Sequence, residues 1–164
     1  MKEELKYGYD FFSNQENFNK KKFELIEKEL NIQLPNDFIV IWQKYDLTKL
    51  KGNQVFAGIA SNIIRNRNEE LELIQFDFFH SLDNIIKIQE VQGYEGFEYL
   101  KLLVIGVTVR GGIYISCAEE TLGKVYSLNW ERDEVVLLMA DTLNDYILQL
   151  RYILPNEIEL LFKN

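Results

Sequence analysis

The chain holds one cysteine, one histidine and two prolines in 164 residues. A lone Cys117 excludes an internal disulfide and fits a reducing compartment. A lone His80 excludes every two-histidine metal motif, and zinc-finger spacing cannot be built with one thiol. Calcium loops need alternating Asp or Asn and a glycine at fixed offsets, and no such run exists. No metal or cofactor is therefore expected. No stretch approaches the ~18 apolar residues of a membrane-spanning helix. The opening Met1-Lys-Glu-Glu-Leu-Lys lacks the apolar core of a signal peptide. A cytoplasmic protein with no membrane contact is the expectation. Positive charge is also scarce: 18 Lys and Arg stand against 26 Asp and Glu, a net charge of −8. Direct nucleic-acid binding is disfavoured, because phosphate contacts need a basic face.

What is present is a core. The chain is 47% hydrophobic, with 11 Phe and 9 Tyr, and nine Gly with two Pro leave no flexible linker. A single folded domain over residues 1–164 is expected. Ser13-x-x-Glu16 has the form of a capping box, and Phe23, Ile26 and Leu30 follow at helical spacing, closed by Asn31. Leu34-Pro35 starts a second helix, with Asp37 in its first turn. Phe38, Ile41, Trp42 and Tyr45 form its apolar stripe, which makes Trp42 a core residue. Asp46 to Gly52 reads as a loop and Gln54–Ala57 as a short strand.

Alternation from Glu70 to Phe79 predicts a strand with Ile74, Phe76 and Phe78 on one side. Ser81 caps a following helix, and residues 92–96 are a loop. Leu102 to Val109, apolar on both faces, predicts an interior strand. Arg110-Gly111-Gly112 reads as a hairpin turn whose glycines supply positive φ. Strands follow at Ile113–Cys117, Gly123–Tyr126 and Val135–Leu138. Asp141 then caps a helix carrying Leu143, Ile147 and Leu150, and Pro155 ends it or opens a last turn. The fold class is α+β: a mostly antiparallel central sheet, N-terminal helices and a returning C-terminal helix packed on it.

Catalytic grammar is absent from this pattern. Cys117 sits in an apolar strand, where a thiol behaves as a small inert hydrophobe. His80 reads as a polar loop residue. Gly111 and Gly112 precede a strand, whereas a phosphate loop needs Lys-Ser or Lys-Thr opening a helix. Carboxylates at 69–70 and 119–120 are sequence neighbours, so no general acid and base pair can be picked out. The expectation is a protein that is not an enzyme.

Acidic charge is concentrated in one stretch. Residues 66–98 hold eight acids against two bases, a net −6 of the total −8. Such a face steers a basic protein partner and speeds docking, with aromatic anchors supplying affinity. Glu69, Glu70, Glu72, Asp77, Glu95 and Glu98, with Tyr94 as anchor, are the candidate partner-binding residues. The same charges also suit a plainly solvated surface that keeps a protein soluble.

The order of motifs resembles the SUKH superfamily, the Smi/Knr cell-wall-regulator-like domain. Ile26-Glu27, Leu30, Leu34-Pro35, Phe38, Ile41 and Trp42 carry the first part of the likeness. Phe79 to Ile85, Leu103-Val-Ile-Gly106, Arg110-Gly-Gly-Ile-Tyr-Ile115 and Gly123-Lys-Val-Tyr126 carry the middle. Ala140-Asp-Thr-Leu143 with Tyr146-Ile147 completes it, so it spans about residues 16–150. The chain departs from the family pattern after the second helix, where Asp46-Leu-Thr-Lys49 replaces an Asn-Gly-Gly step. It departs again after the central strand, at Val107-Thr-Val-Arg110. The resemblance implies an α+β domain without a catalytic residue. It further implies a bacterial immunity protein that binds and neutralises a polymorphic toxin, possible targets including nucleic acid. A scaffold or interaction module with a non-toxin partner is the alternative.

Overall fold

The apolar run near residue 105 becomes a strand with hydrogen-bonded neighbours on both sides. The computed structural model describes residues 6–51, 58–61, 64–65, 71–92, 100–130 and 136–161. Its main sheet has five antiparallel strands: β6 (Phe76–Phe79), β7 (Leu102–Thr108), β8 (Gly111–Ser116), β9 (Val125–Asn129) and β10 (Val136–Ala140). They lie in the order β10-β9-β8-β7-β6, so each strand pairs with its neighbour in sequence. β7 and β8 are buried on both faces, apart from a half-exposed Val107. That two-sided burial is why the run is continuously apolar instead of alternating.

Among the described residues four α-helices accompany the sheet: α1 (Lys21–Leu30), α2 (Asn36–Lys44), α3 (Ile85–Gln92) and α4 (Leu143–Leu148). On one face, Leu103, Ile105, Ile113, Ile115 and Val125 join a single cluster with Phe23, Ile26, Phe38, Ile41, Trp42, Leu143 and Ile147. The expected stripes of α1, α2 and α4 pack where the pattern put them, except that Tyr45 and Leu150 lie past the helix ends, Tyr45 as the first residue of a strand. Trp42 is buried as expected, whereas Leu30 is only partly buried, at the margin of the cluster. On the other face, Leu102, Val104, Tyr114 and Leu128 form a second cluster, joined by Ile88 of α3. The Asp37 carboxylate accepts the Asn144 backbone N–H at 3.3 Å, which ties the first turn of α2 to that of α4.

Three two-stranded ribbons surround the main sheet. β1 (Phe12–Asn14) pairs with β2 (Tyr45–Leu50), β3 (Ile59–Ala60) with β11 (Arg151–Tyr152), and β4 (Ile64–Arg65) with β5 (Leu71–Glu72). Three expectations fail here. Ser13 lies in β1 and does not cap a helix; its hydroxyl donates to the Leu50 carbonyl at 3.1 Å. Residues 46–50 are a strand and not a loop, because β1 supplies the partner. The strand expected across Glu70–Phe79 is divided into β5 and β6. A bulge between Phe76 and Phe78 puts them on different sides, Phe76 fully buried and Phe78 exposed.

The glycine turn is also corrected. Gly111 and Gly112 open β8 and neither has positive φ; Val109 and Arg110 make the turn. A Cβ on Gly111 would lie 1.6 Å from the Leu128 carbonyl oxygen, so the glycine serves the close approach of β8 and β9. Asn31 closes α1 in the left-handed region at φ 50°, as expected of an Asn C-cap. Thr142, not Asp141, caps α4: its hydroxyl accepts the Asp145 N–H at 3.0 Å. Ser81 lies one turn before α3, where its carbonyl accepts from Asn84. Pro155 opens a 3-10 helix, Pro155–Leu161. The expected strand at Gln54–Ala57 and most of the loop at 92–96 lie outside the described residues.

Candidate partner-binding site

The acidic stretch does not form one open face in the part that is described. Glu72 ends β5 and is buried, 7% exposed. It lines a cleft of about 120 Å³ with Gln75, Thr108, Arg110, Ser127 and Asn129. Its carboxylate is thus turned into the protein, not offered on an outer face. Asp77, on β6, is half-buried next to exposed Phe78. Asp83 pairs with Lys22 of α1 at 2.9 Å, and Glu90 of α3 is exposed. Glu69, Glu70, Tyr94, Glu95 and Glu98 lie outside the described residues. Of the seven candidate residues, the structure thus places two: Glu72 inside and Asp77 at the margin.

The groups that could carry chemistry are walled in. Cys117, just past β8, is buried, and burial together with the Glu27 carboxylate pushes its thiol pKa up to about 12. A thiol held that high stays protonated and is a poor nucleophile. His80 is not the polar loop residue its sequence context suggests. It follows β6, is 8% exposed, and its backbone N–H donates to the Ile105 carbonyl at 2.9 Å. Its ring meets the Phe78 ring edge-on at 5.4 Å, and Nε2 has no hydrogen-bond partner among the described residues. Burial lowers its pKa, so the neutral imidazole is favoured. No group of three or more His, Cys, Asp or Glu side chains among the described residues could hold a metal ion. No helix among them is long and apolar enough to cross a membrane.

The polar interactions that do form are structural. Arg151 and Glu157 make a two-bond fork, both N–O distances 2.6 Å, and Glu157 also accepts the Leu154 N–H. The fork pins the C-terminal 3-10 helix to β11. Side-chain hydrogen bonding to Arg151 holds the Glu157 carboxyl below its ordinary pKa.

Exposed apolar side chains are a better guide to a docking surface than these polar groups. Trp130 follows β9 and is 54% exposed; Leu138 in β10 is 49% exposed. Val109, in the β7–β8 turn, is 55% exposed beside Arg110, whose carbonyl accepts the Trp130 N–H at 3.1 Å. Sequence reasoning missed Trp130 and Leu138, since Val135–Leu138 shows itself as a strand without showing that the strand is an edge.

The family model of SMI1 / KNR4 (SUKH-1) matches residues 17–149. The chain belongs to the SMI1 / KNR4 family (SUKH-1). No curated protein and no solved structure is significantly similar to it. The SUKH-1 match begins ahead of α1 and ends after α4, so it takes in all four helices and the whole five-stranded sheet. It leaves out β1 and β11, each of which pairs with a strand inside the match.

Proposed function

We propose that this SUKH-1 chain is a non-catalytic immunity protein, which binds a toxin domain in the cytoplasm and neutralises it. The observation that carries the reading is family membership across residues 17–149. Two physical arguments support it. A net charge of −8 suits capture of a toxin with a basic surface, and an enzyme acting on nucleic acid needs such a surface. A thiol raised to about 12 and a desolvated histidine leave the chain's two most reactive side-chain types poorly suited to attack or proton transfer.

The test is co-expression with the toxin domain encoded beside the gene. Growth should recover and the two proteins should co-purify, with association slowing as salt rises. A neighbouring toxin that kills equally with and without the chain would sink the reading. A gene with no toxin beside it would favour a scaffold module bound to another kind of partner.

A further inference from the structure

We propose that the cleft beside Arg110 binds a small zwitterion, a free α-amino acid with an aliphatic side chain. Two buried hydroxyls carry the argument. Thr108, the last residue of β7, and Ser127 of β9 both line the cleft, and they are 3% and 5% exposed. Neither hydroxyl is hydrogen-bonded among the described residues. Buried polar side chains are nearly always paired, so two such hydroxyls lining one cleft mark a place where a polar molecule is held.

The walls are set before any ligand arrives. The Val109 N–H donates to the Gln75 carbonyl at 3.0 Å, which fixes that segment against the β7–β8 turn. The Ala60–Gln75 bridge and the bond from the Ser61 N–H to the Ile74 carbonyl, 3.1 Å, hold it as well. Gly111 pairs with Asn129, and the close approach that only glycine permits there brings Arg110 beside the end of β9. A site pinned by main-chain bonds needs little reorganisation on binding.

The lining selects the ligand. Glu72 and Arg110 put one charge of each sign in it, so a bare anion or cation meets its like as well as its opposite. A zwitterion answers both charges. Its ammonium is matched to the Glu72 carboxylate and its carboxylate to the Arg110 guanidinium, with the hydroxyls free to donate or accept. Both charged residues also have interactions of their own within the protein, which the ligand joins without replacing. Leu73, Ile74 and Leu137 supply an aliphatic wall. No aromatic ring among the described residues lines the cleft, which removes the stacking platform that a nucleobase would use. Its volume of about 120 Å³ is below the roughly 300–1,000 Å³ of sites for drug-sized molecules, and suits a ligand the size of one amino acid. The proposal goes beyond the immunity reading and does not depend on it.

The experiment titrates the full chain calorimetrically with leucine, isoleucine and valine. For each amino acid the matching acid without the ammonium and the matching amine without the carboxylate are titrated as well. Expected is saturable binding of at least one amino acid at millimolar concentration or below. Removal of either charged group, or of one hydroxyl in Ser127→Ala or Thr108→Val, should weaken it by about tenfold or more. No saturation by any of the three overturns the proposal and assigns the hydroxyls to water alone. An acid or amine that binds as tightly as its parent overturns the zwitterion; if it is the amine, the cleft is a cation site that a partner's lysine could fill. Unchanged affinity in both variants, each with a wild-type thermal midpoint, places the ligand elsewhere and overturns it too. Should a variant fail to fold, amide chemical shifts of the wild type decide. Changes on adding the amino acid must centre on Thr108 and Ser127, and changes confined to other residues overturn the proposal.

Discussion

The side-chain amide of Gln89 stands in for a strand beside Val104. Its Oε1 accepts the Val104 N–H at 2.8 Å, and its Nε2 donates to the Leu102 carbonyl at 3.1 Å. β6 pairs with β7 only from Gly106 onward, so these backbone groups would otherwise face α3 without a strand partner. Gln89→Leu leaves both buried and unmade, at a cost of about 1–3 kcal/mol for each group. A lower denaturation midpoint and faster amide exchange at Val104 are expected. Unchanged exchange at Val104 would show that the amide does not matter.

Gly111→Ala forces a methyl to within 1.6 Å of the Leu128 carbonyl oxygen, a backbone atom that cannot rotate away. Strands β8 and β9 must separate, and overpacking of this kind costs about 1–3 kcal/mol or more. Urea denaturation gives the number. A variant as stable as wild type would mean that β9 yields freely.

Glu157 has a native pKa below its ordinary value of 4.5. Its contribution is therefore fully present above pH 4.5 and is lost as pH falls through the lower native value. Glu157→Gln should cost about 1–3 kcal/mol at neutral pH, by analogy with other charge-assisted hydrogen bonds, and should flatten the acid limb of the stability curve. Parallel acid limbs for variant and wild type would contradict this.

His80 acts in a higher window. Burial lowers its native pKa below 6.5, so the unfolded chain binds the proton more readily. Stability should fall as pH drops below 6.5 towards the native value. His80→Phe removes that slope, and denaturation midpoints at neutral and mildly acidic pH should converge. A slope preserved in the variant would assign it to another group.

The central elements were legible because their signals are local. Leu102–Thr108 is apolar on both faces because both are covered, and Leu34-Pro35 marks the start of α2 by proline geometry alone. Ser13 and residues 46–50 were misread because their conformation depends on pairing across more than thirty residues of sequence, Ser13 with Asp46 and Phe12 with Leu50. The glycines at 111 and 112 read as positive-φ turn residues, whereas the close approach of β9 decides Gly111 and the Tyr114 ring fills the space a Cβ on Gly112 would need. In the candidate site, charge could be counted but its direction could not. Glu72 carries the same formal charge whether it faces water or the cleft beside Arg110.

The sequential order of β6 to β10 has a kinetic consequence. Every pairing in that meander joins strands consecutive along the chain, whereas β3–β11 closes a much longer loop, from Ile59 to Tyr152. Loop-closure entropy favours the meander in the folding transition state and leaves the β3–β11 ribbon to form afterwards. Ile113→Val in β8 is then expected to slow refolding, and Arg151→Ala in β11 to speed unfolding while leaving the refolding rate almost unchanged. That ribbon would act as a latch on a sheet that has already assembled, setting how long the native state lasts more than how fast it is reached.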